Sequence, residues 1–346
     1  MKSIMAFALL ASASMYASAQ TEPAAPLQTP DTYAKPGERI TIAPGRSLNL
    51  RCTGDGPRTV LLEAGSNADS SAWFRVQSLL SPKARVCAYD RAGYGFSDEG
   101  PLPRDLDADG ADLSALIAAA KLKTPLVLVG HSLGSNIVRR YAQTHPANVS
   151  ALVLVDPPEQ GADALMPERW KREDQATRSQ RNAFLDACLK AAEAGTLDKA
   201  EGPLASCLRA PPAWQSAPVA AAARAYKLKP AYWRTLRSEL EANNAIFAAK
   251  VPADETYGDT PVVVLVAPSE QSQVPDDVRK ALERARAQTQ EQLIASSRHG
   301  RRVNVPDASH DLQLDAPPSS RRRDPRCAGT APLMPCCPLR APHRAK

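Results

Sequence analysis

The stretch Val127-Leu128-Val129-Gly130-His131-Ser132-Leu133-Gly134-Ser135 decides how this chain is read. Its first residues form a continuous apolar run, as a strand buried on both faces requires. The run stops at a tight turn, and the residues from 132 to 141 have the spacing of a helix. Glycines at 130 and 134 suit a turn in which backbone segments approach too closely for side chains. Ser132 is then held in a strained conformation at a helix N-terminus, where the helix dipole favours developing negative charge. That is the setting of a nucleophilic serine.

Working outward, short β-type runs alternate with helical ones. Residues 46–52 alternate apolar and polar and end in the turn Thr53-Gly54-Asp55-Gly56-Pro57. Runs at 59–62, 85–89, 126–129 and 151–155 read as strands, with helical spacing at 73–80 and 106–122 between them. This rhythm predicts an α/β fold, a mostly parallel sheet covered by helices on both sides. It stops at Pro157. Residues 157–255 are rich in Ala, Arg and Glu, carry little β pattern, and read as a helical cap inserted before the penultimate strand. Strands resume at 261–266 and 302–305, with a helix over 276–295. The organisation expected is core 39–156, cap 157–255 and core 256–317.

Both ends look different from this body. Lys2, the apolar run 5–10 and Ala17-Ser18-Ala19 before Gln20 have the pattern of a cleaved export signal over 1–19. The run is too short to span a bilayer, so no integral membrane segment is expected in the mature chain. Residues 20–38, rich in Pro and Thr, read as an extended leader, and 318–346, rich in Pro, Arg and Cys, as a disordered tail. The net charge of +6 comes from that end. Setting aside the seven basic and one acidic side chains of 317–346 leaves 36 of each sign in the body. A neutral body offers no footprint for a phosphate backbone, so nucleic acid is not an expected partner.

The four body cysteines, Cys52, Cys87, Cys188 and Cys207, suit an oxidising compartment, periplasmic or extracellular. None of the cysteine or histidine spacings matches a zinc site, and Gly93-Tyr94-Gly95 lacks the third glycine of a dinucleotide fingerprint. Neither a metal nor a cofactor is expected.

A nucleophilic serine needs a base, a group to orient that base, and donors for the oxyanion. Of the five histidines, His131 is locked in the turn, His145 ends a helix, His299 lies in a charged loop and His343 in the tail. His310 follows the last strand, on a loop of the kind where ligand sites gather in parallel sheets. Asp156, directly after the strand 151–155, is the better-placed acid, and Glu270, after 261–267, is the alternative. The amide of Leu133 supplies one oxyanion donor, and Ser66, or failing it Asn67, the other.

These residues resemble the α/β-hydrolase superfamily, in particular its exported bacterial serine hydrolases with a helical cap. The resemblance rests on Leu62-Glu63-Ala64-Gly65, on Ala88-Tyr89-Asp90-Arg91-Ala92-Gly93-Tyr94-Gly95-Phe96-Ser97-Asp98, on 130–134, and on the histidine motif at 309–317. It implies the α/β-hydrolase fold and hydrolysis of a carboxylic ester of a small or medium acyl group through an acyl-enzyme on Ser132. An aminopeptidase or amidase of the same fold, or a non-catalytic binding protein, are the alternatives. The partner expected is a small-molecule ester or amide. The family's sheet order sets the strand of Cys52 beside that of Cys87, which favours the pair Cys52–Cys87 and leaves Cys188–Cys207 within the cap. Two departures stand out: Ala64-Gly65 replaces the usual His-Gly, and prolines beyond 324 forbid the helix that follows the histidine motif elsewhere. A changed reading frame near 318, or a tail in place of that helix, is the expectation there.

Overall fold

A computed structural model describes residues 27–268 and 274–315. The expected signal segment, Glu270 and the expected tail lie outside the described residues. Strands β1 (Glu38–Ala43) and β2 (Arg46–Thr53) form a hairpin, followed by β3 (Thr59–Glu63), α1 (Phe74–Leu80), β4 (Arg85–Tyr89), α2 (Leu106–Ala119), β5 (Leu126–His131), α3 (Leu133–Thr144) and β6 (Val149–Val155). Helices α4 (Glu168–Glu193), α5 (Ala217–Lys227) and α6 (Pro230–Ala248) come next, with short 3-10 turns among them. The chain then returns through β7 (Val262–Val266), α7 (Asp276–Ala295) and β8 (Gly300–Asn304).

The eight strands form one sheet in the order β1-β2-β4-β3-β5-β6-β7-β8. From β4 to β8 every pairing is parallel, while β1 and β2 run antiparallel at one edge. This is the α/β-hydrolase fold, with the helical insertion placed between β6 and β7, before the penultimate strand.

The two-residue period of β5 shows how the sheet is buried on both sides. Leu126 and Leu128 join Leu113, Leu116, Ile137 and Tyr141 of α2 and α3. Val127 and Val129 point the other way, towards Trp73, Val76 and Leu80 around α1. Each apolar side chain so buried contributes about 1.5–3 kcal/mol, which is why an uninterrupted apolar run and not an alternating one marks this strand. The leader is less extended than its composition suggests. Asp31–Ala34 form a 3-10 turn, and the Thr29 amide donates to the Trp214 carbonyl in the insertion at 2.8 Å.

Both expected cysteine pairs are disulfides. Cys52 and Cys87 face each other in register across β2 and β4, and Cys188 of α4 bonds Cys207, 19 residues on. The second lies in a separate apolar cluster of the insertion with Leu185, Tyr232, Trp233 and Leu236. Such a cluster is small, and closing a loop of this size restricts its unfolded state by about 3 kcal/mol. The double variant Cys188→Ser, Cys207→Ser is expected to lose about 2–4 kcal/mol of stability. Urea unfolding followed by tryptophan fluorescence measures it.

Candidate active site

The turn after β5 is as tight as its glycines imply. Ser132 has φ +49° and ψ −122°, and α3 begins only at Leu133. A Cβ on Gly134 would stand 2.5 Å from the Glu63 carbonyl oxygen, and one on Gly130 would collide with the Gly134 carbonyl. A side chain at 134 would force α3 from the end of β3, and one at 130 would force β5 from the first turn of α3. The left-handed φ of a non-glycine residue costs about 1–3 kcal/mol, a strain that persists only where surrounding packing over-determines it. Leu133, as the first helical residue, has an amide without an intrahelical acceptor.

His310 and Asp156 come together although 154 residues separate them: His310 Nδ1 lies 2.7 Å from Asp156 Oδ2. Asp156 follows β6 with φ +43°, and its other oxygen accepts from Arg286 Nη2 of α7 at 2.5 Å and from the Ala267 amide at 3.2 Å. Arg286 also donates to the Ala267 carbonyl. Burial alone would raise the Asp156 carboxyl. The His310 bond and the Arg286 charge outweigh it and hold the group below the ordinary carboxylate range. The same bond raises His310 above the usual imidazole value, against a smaller opposing effect of burial. With Nδ1–H held by the carboxylate, Nε2 is the nitrogen left to accept a proton. The His310 side chain is half exposed.

His131, set aside as a base, braces the His310 loop instead. Its Nε2 lies 2.9 Å from the His310 carbonyl oxygen, and the two rings stand 4.7 Å apart. Burial, followed by repulsion from His310, pushes its pKa down to about 4. It is therefore neutral at physiological pH and donates from Nε2 to that carbonyl. Asp315 accepts from the Ser309 amide at 2.6 Å and closes the loop from its far end.

The segment after β3 lies directly over the serine. A Cβ at Gly65 would stand 3.3 Å from Ser132 Cβ. Arg91, buried at 3% exposure, donates to the carbonyls of Ala64 at 2.6 Å and Gly65 at 2.7 Å, and to Glu63 Oε1 at 2.9 Å. The Asn67 amide donates to Glu239 Oε1 of α6 at 3.1 Å. That contact removes Asn67 as the fallback oxyanion donor, because its N–H is already committed. The Ser66 amide has no acceptor among the described residues.

Arg286, Arg91 and Glu239 were not singled out from the sequence. Glu239 left a signal in the period of its helix: Tyr232, Leu236, Glu239 and Asn243 share one buried face of α6, and a carboxylate on such a face needs a partner. A cleft of about 670 Å³ between α3 and α6 is lined by Leu106, Asn136, Arg139, Ala242 and Ile246 among others. Ser132, Ser66 and His310 are not part of its walls. Among the described residues no cluster of three or more His, Cys, Asp or Glu side chains could hold a metal ion.

Comparison with known proteins agrees with this architecture. The sequence profile described as "Alpha/beta hydrolase family" matches residues 60–319. A non-heme chloroperoxidase of Streptomyces lividans is 43% identical over 120 residues, 33% of this chain and 43% of that protein. The chain spans less than half the length of the curated relatives it matches, an uncharacterized protein of Bacillus subtilis at 39% among them. Among solved structures, a thermophilic esterase from Thermogutta terrifontis superposes with a TM-score of 0.52 at 21% identity, covering 80% of this chain and 93% of that one. An alpha/beta hydrolase fold protein from Burkholderia ambifaria gives 0.53 at 23% identity, with 82% and 94% covered. At such identities the likeness is one of fold. Profile and topology together establish that this chain belongs to the alpha/beta hydrolase family.

Proposed function

We propose that the protein is an exported serine hydrolase that cleaves carboxylic esters of small or medium acyl groups through an acyl-enzyme on Ser132. The observation that carries this reading is the 2.7 Å bond between His310 Nδ1 and Asp156 Oδ2, on a loop braced against the turn that strains Ser132. The family supplies hydrolase chemistry as its background.

In this reading Ser132 Oγ attacks the ester carbonyl carbon while His310 Nε2 takes its proton. Asp156 holds the imidazole in the Nδ1–H tautomer and stabilises its cation. The amides of Leu133 and Ser66 receive the negative oxygen of the tetrahedral intermediate. Collapse expels the alcohol, which takes the proton from His310. Water, deprotonated by the same imidazole, then attacks the acyl-serine; the carboxylic acid leaves as the bond to Ser132 Oγ breaks and the imidazolium returns its proton to that oxygen. The two disulfides support an oxidising compartment for the mature protein.

A fluorophosphonate probe is expected to label the protein, with labelling lost in Ser132→Ala and His310→Ala. A folded protein that resists the probe contradicts the proposal. Initial rates across nitrophenyl esters of increasing chain length, with aminoacyl amides alongside, separate ester from amide cleavage. The pH dependence follows from the direction of the His310 shift. Catalysis needs the neutral imidazole, and Asp156 favours the cation. The ascending limb of kcat/KM is therefore expected above pH 6.5, the ordinary imidazole value. Asp156→Asn removes the stabilising charge, so the limb moves to lower pH and kcat falls by about a thousandfold or more.

A further inference from the structure

We infer that Glu239, carried by the helical insertion, is a positioning residue that sets the oxyanion-binding segment 64–67 from above. The inference rests on the serine hydrolase reading and adds to it a second layer of the molecule on which the reaction depends.

Glu239 is 2% exposed, and both of its oxygens are used. Oε1 accepts from Ser66 Oγ at 2.6 Å and from the Asn67 amide at 3.1 Å. Oε2 accepts from Arg91 Nη2 at 2.8 Å. Arg91 in turn grips the carbonyls of Ala64 and Gly65. The four consecutive residues 64–67 are thus held at a carbonyl, a carbonyl, a hydroxyl and an amide, by one carboxylate and the guanidinium paired with it. The Ser66 amide is the group left pointing to no protein acceptor among the described residues.

Asn67 is held from α6 as well. Its φ of +56° lies in the left-handed region, which asparagine adopts more readily than other residues with a side chain. Two residues of α6 hold it: Glu239 through the amide, and Tyr232, whose hydroxyl donates to Asn67 Oδ1 at 2.6 Å. Asn243, one turn beyond Glu239, reaches Ser66 Oγ at 3.4 Å. Positions 232, 239 and 243 lie on one face of the helix, so α6 meets the segment as a single rigid edge. Removing a charge from water is unfavourable, whereas burying an apolar side chain of similar size is favourable. What the carboxylate adds here is direction: Leu at 239 would fill the space and leave 66 and 67 unheld.

A misdirected oxyanion donor weakens the transition state far more than the bound substrate. Glu239→Gln keeps an acceptor for Ser66 and Asn67 but turns an amide donor towards Arg91. It is expected to lower kcat by about 10- to 100-fold with KM within about threefold, since loss of one such donor costs about 10²–10³ in kcat. The affinity of a trifluoromethyl ketone, which forms a tetrahedral adduct at the serine, is expected to fall in parallel with kcat/KM. Ser66→Ala removes the hydroxyl's contacts with Glu239 and Asn243 and leaves the backbone amide in place; a smaller loss of kcat, about threefold to tenfold, is expected, again at steady KM. Each variant is expected to keep the circular dichroism of the unaltered chain at the assay temperature, so that the losses are read on folded protein. Unchanged kcat and ketone affinity in both Glu239→Gln and Ser66→Ala, or losses in KM alone, would overturn the inference while leaving Ser132 chemistry intact. Absence of any esterase or amidase turnover in the unaltered chain would overturn the serine hydrolase reading and this inference with it.

Discussion

At the end of β5 the chain reverses into α3 within one residue, and the backbones of β3, β5 and α3 meet with no space for a side chain between them. Gly134 packs against the carbonyl of Glu63, and Gly65 lies above Ser132. Three features depend on this close approach: the strained φ of the serine, the Leu133 amide beside it, and the 64–67 segment overhead. A methyl group at Gly134 would push α3, which begins just after Ser132, away from the end of β3 that leads into 64–67.

Around this point the protein places buried charges in two closed sets. Below, Asp156 sits between His310 and Arg286, so the carboxylate is ionised and oriented at once. Above, Arg91 lies between Glu63 and Glu239. Burial opposes its charge, yet the two carboxylates hold its pKa above the ordinary guanidinium value. Glu63 is pushed up to about 7 by burial, a rise that Arg91 and a hydrogen bond from Tyr89 only partly offset. Desolvated charges of this kind are retained at a cost in stability, and here they contribute fixed backbone direction on both sides of the serine.

The centre of the sheet was legible because β5, β6 and β7 are apolar almost without interruption and the turns carry Gly, Pro and Asp at the required points. β5, β6, β7 and α7 fall within a residue or two of their expected ranges. Asp156 and His310 could be picked out because Asp156 directly follows β6 and His310 lies on the loop after β8, and strand ends in a parallel sheet converge. Asp156 bonds His310, whereas Glu270 lies outside the described residues. The helical groups were less legible: the place of Glu239 on the buried face of α6 signals a partner without naming it, and what Glu239 and Arg286 meet depends on how α6 and α7 pack. The same holds for the insertion as a whole, which packs through its own cluster and disulfide.

The account turns on a covalent intermediate at Ser132. Rapid mixing with a nitrophenyl ester, followed by acid quench and peptide mass analysis, reads it directly. The expected result is a burst of nitrophenol approaching one equivalent per active site, with the acyl mass on the peptide containing Ser132 and none in Ser132→Ala. Turnover that persists at an undiminished rate in Ser132→Ala, or an acyl group found on another residue, would contradict the account.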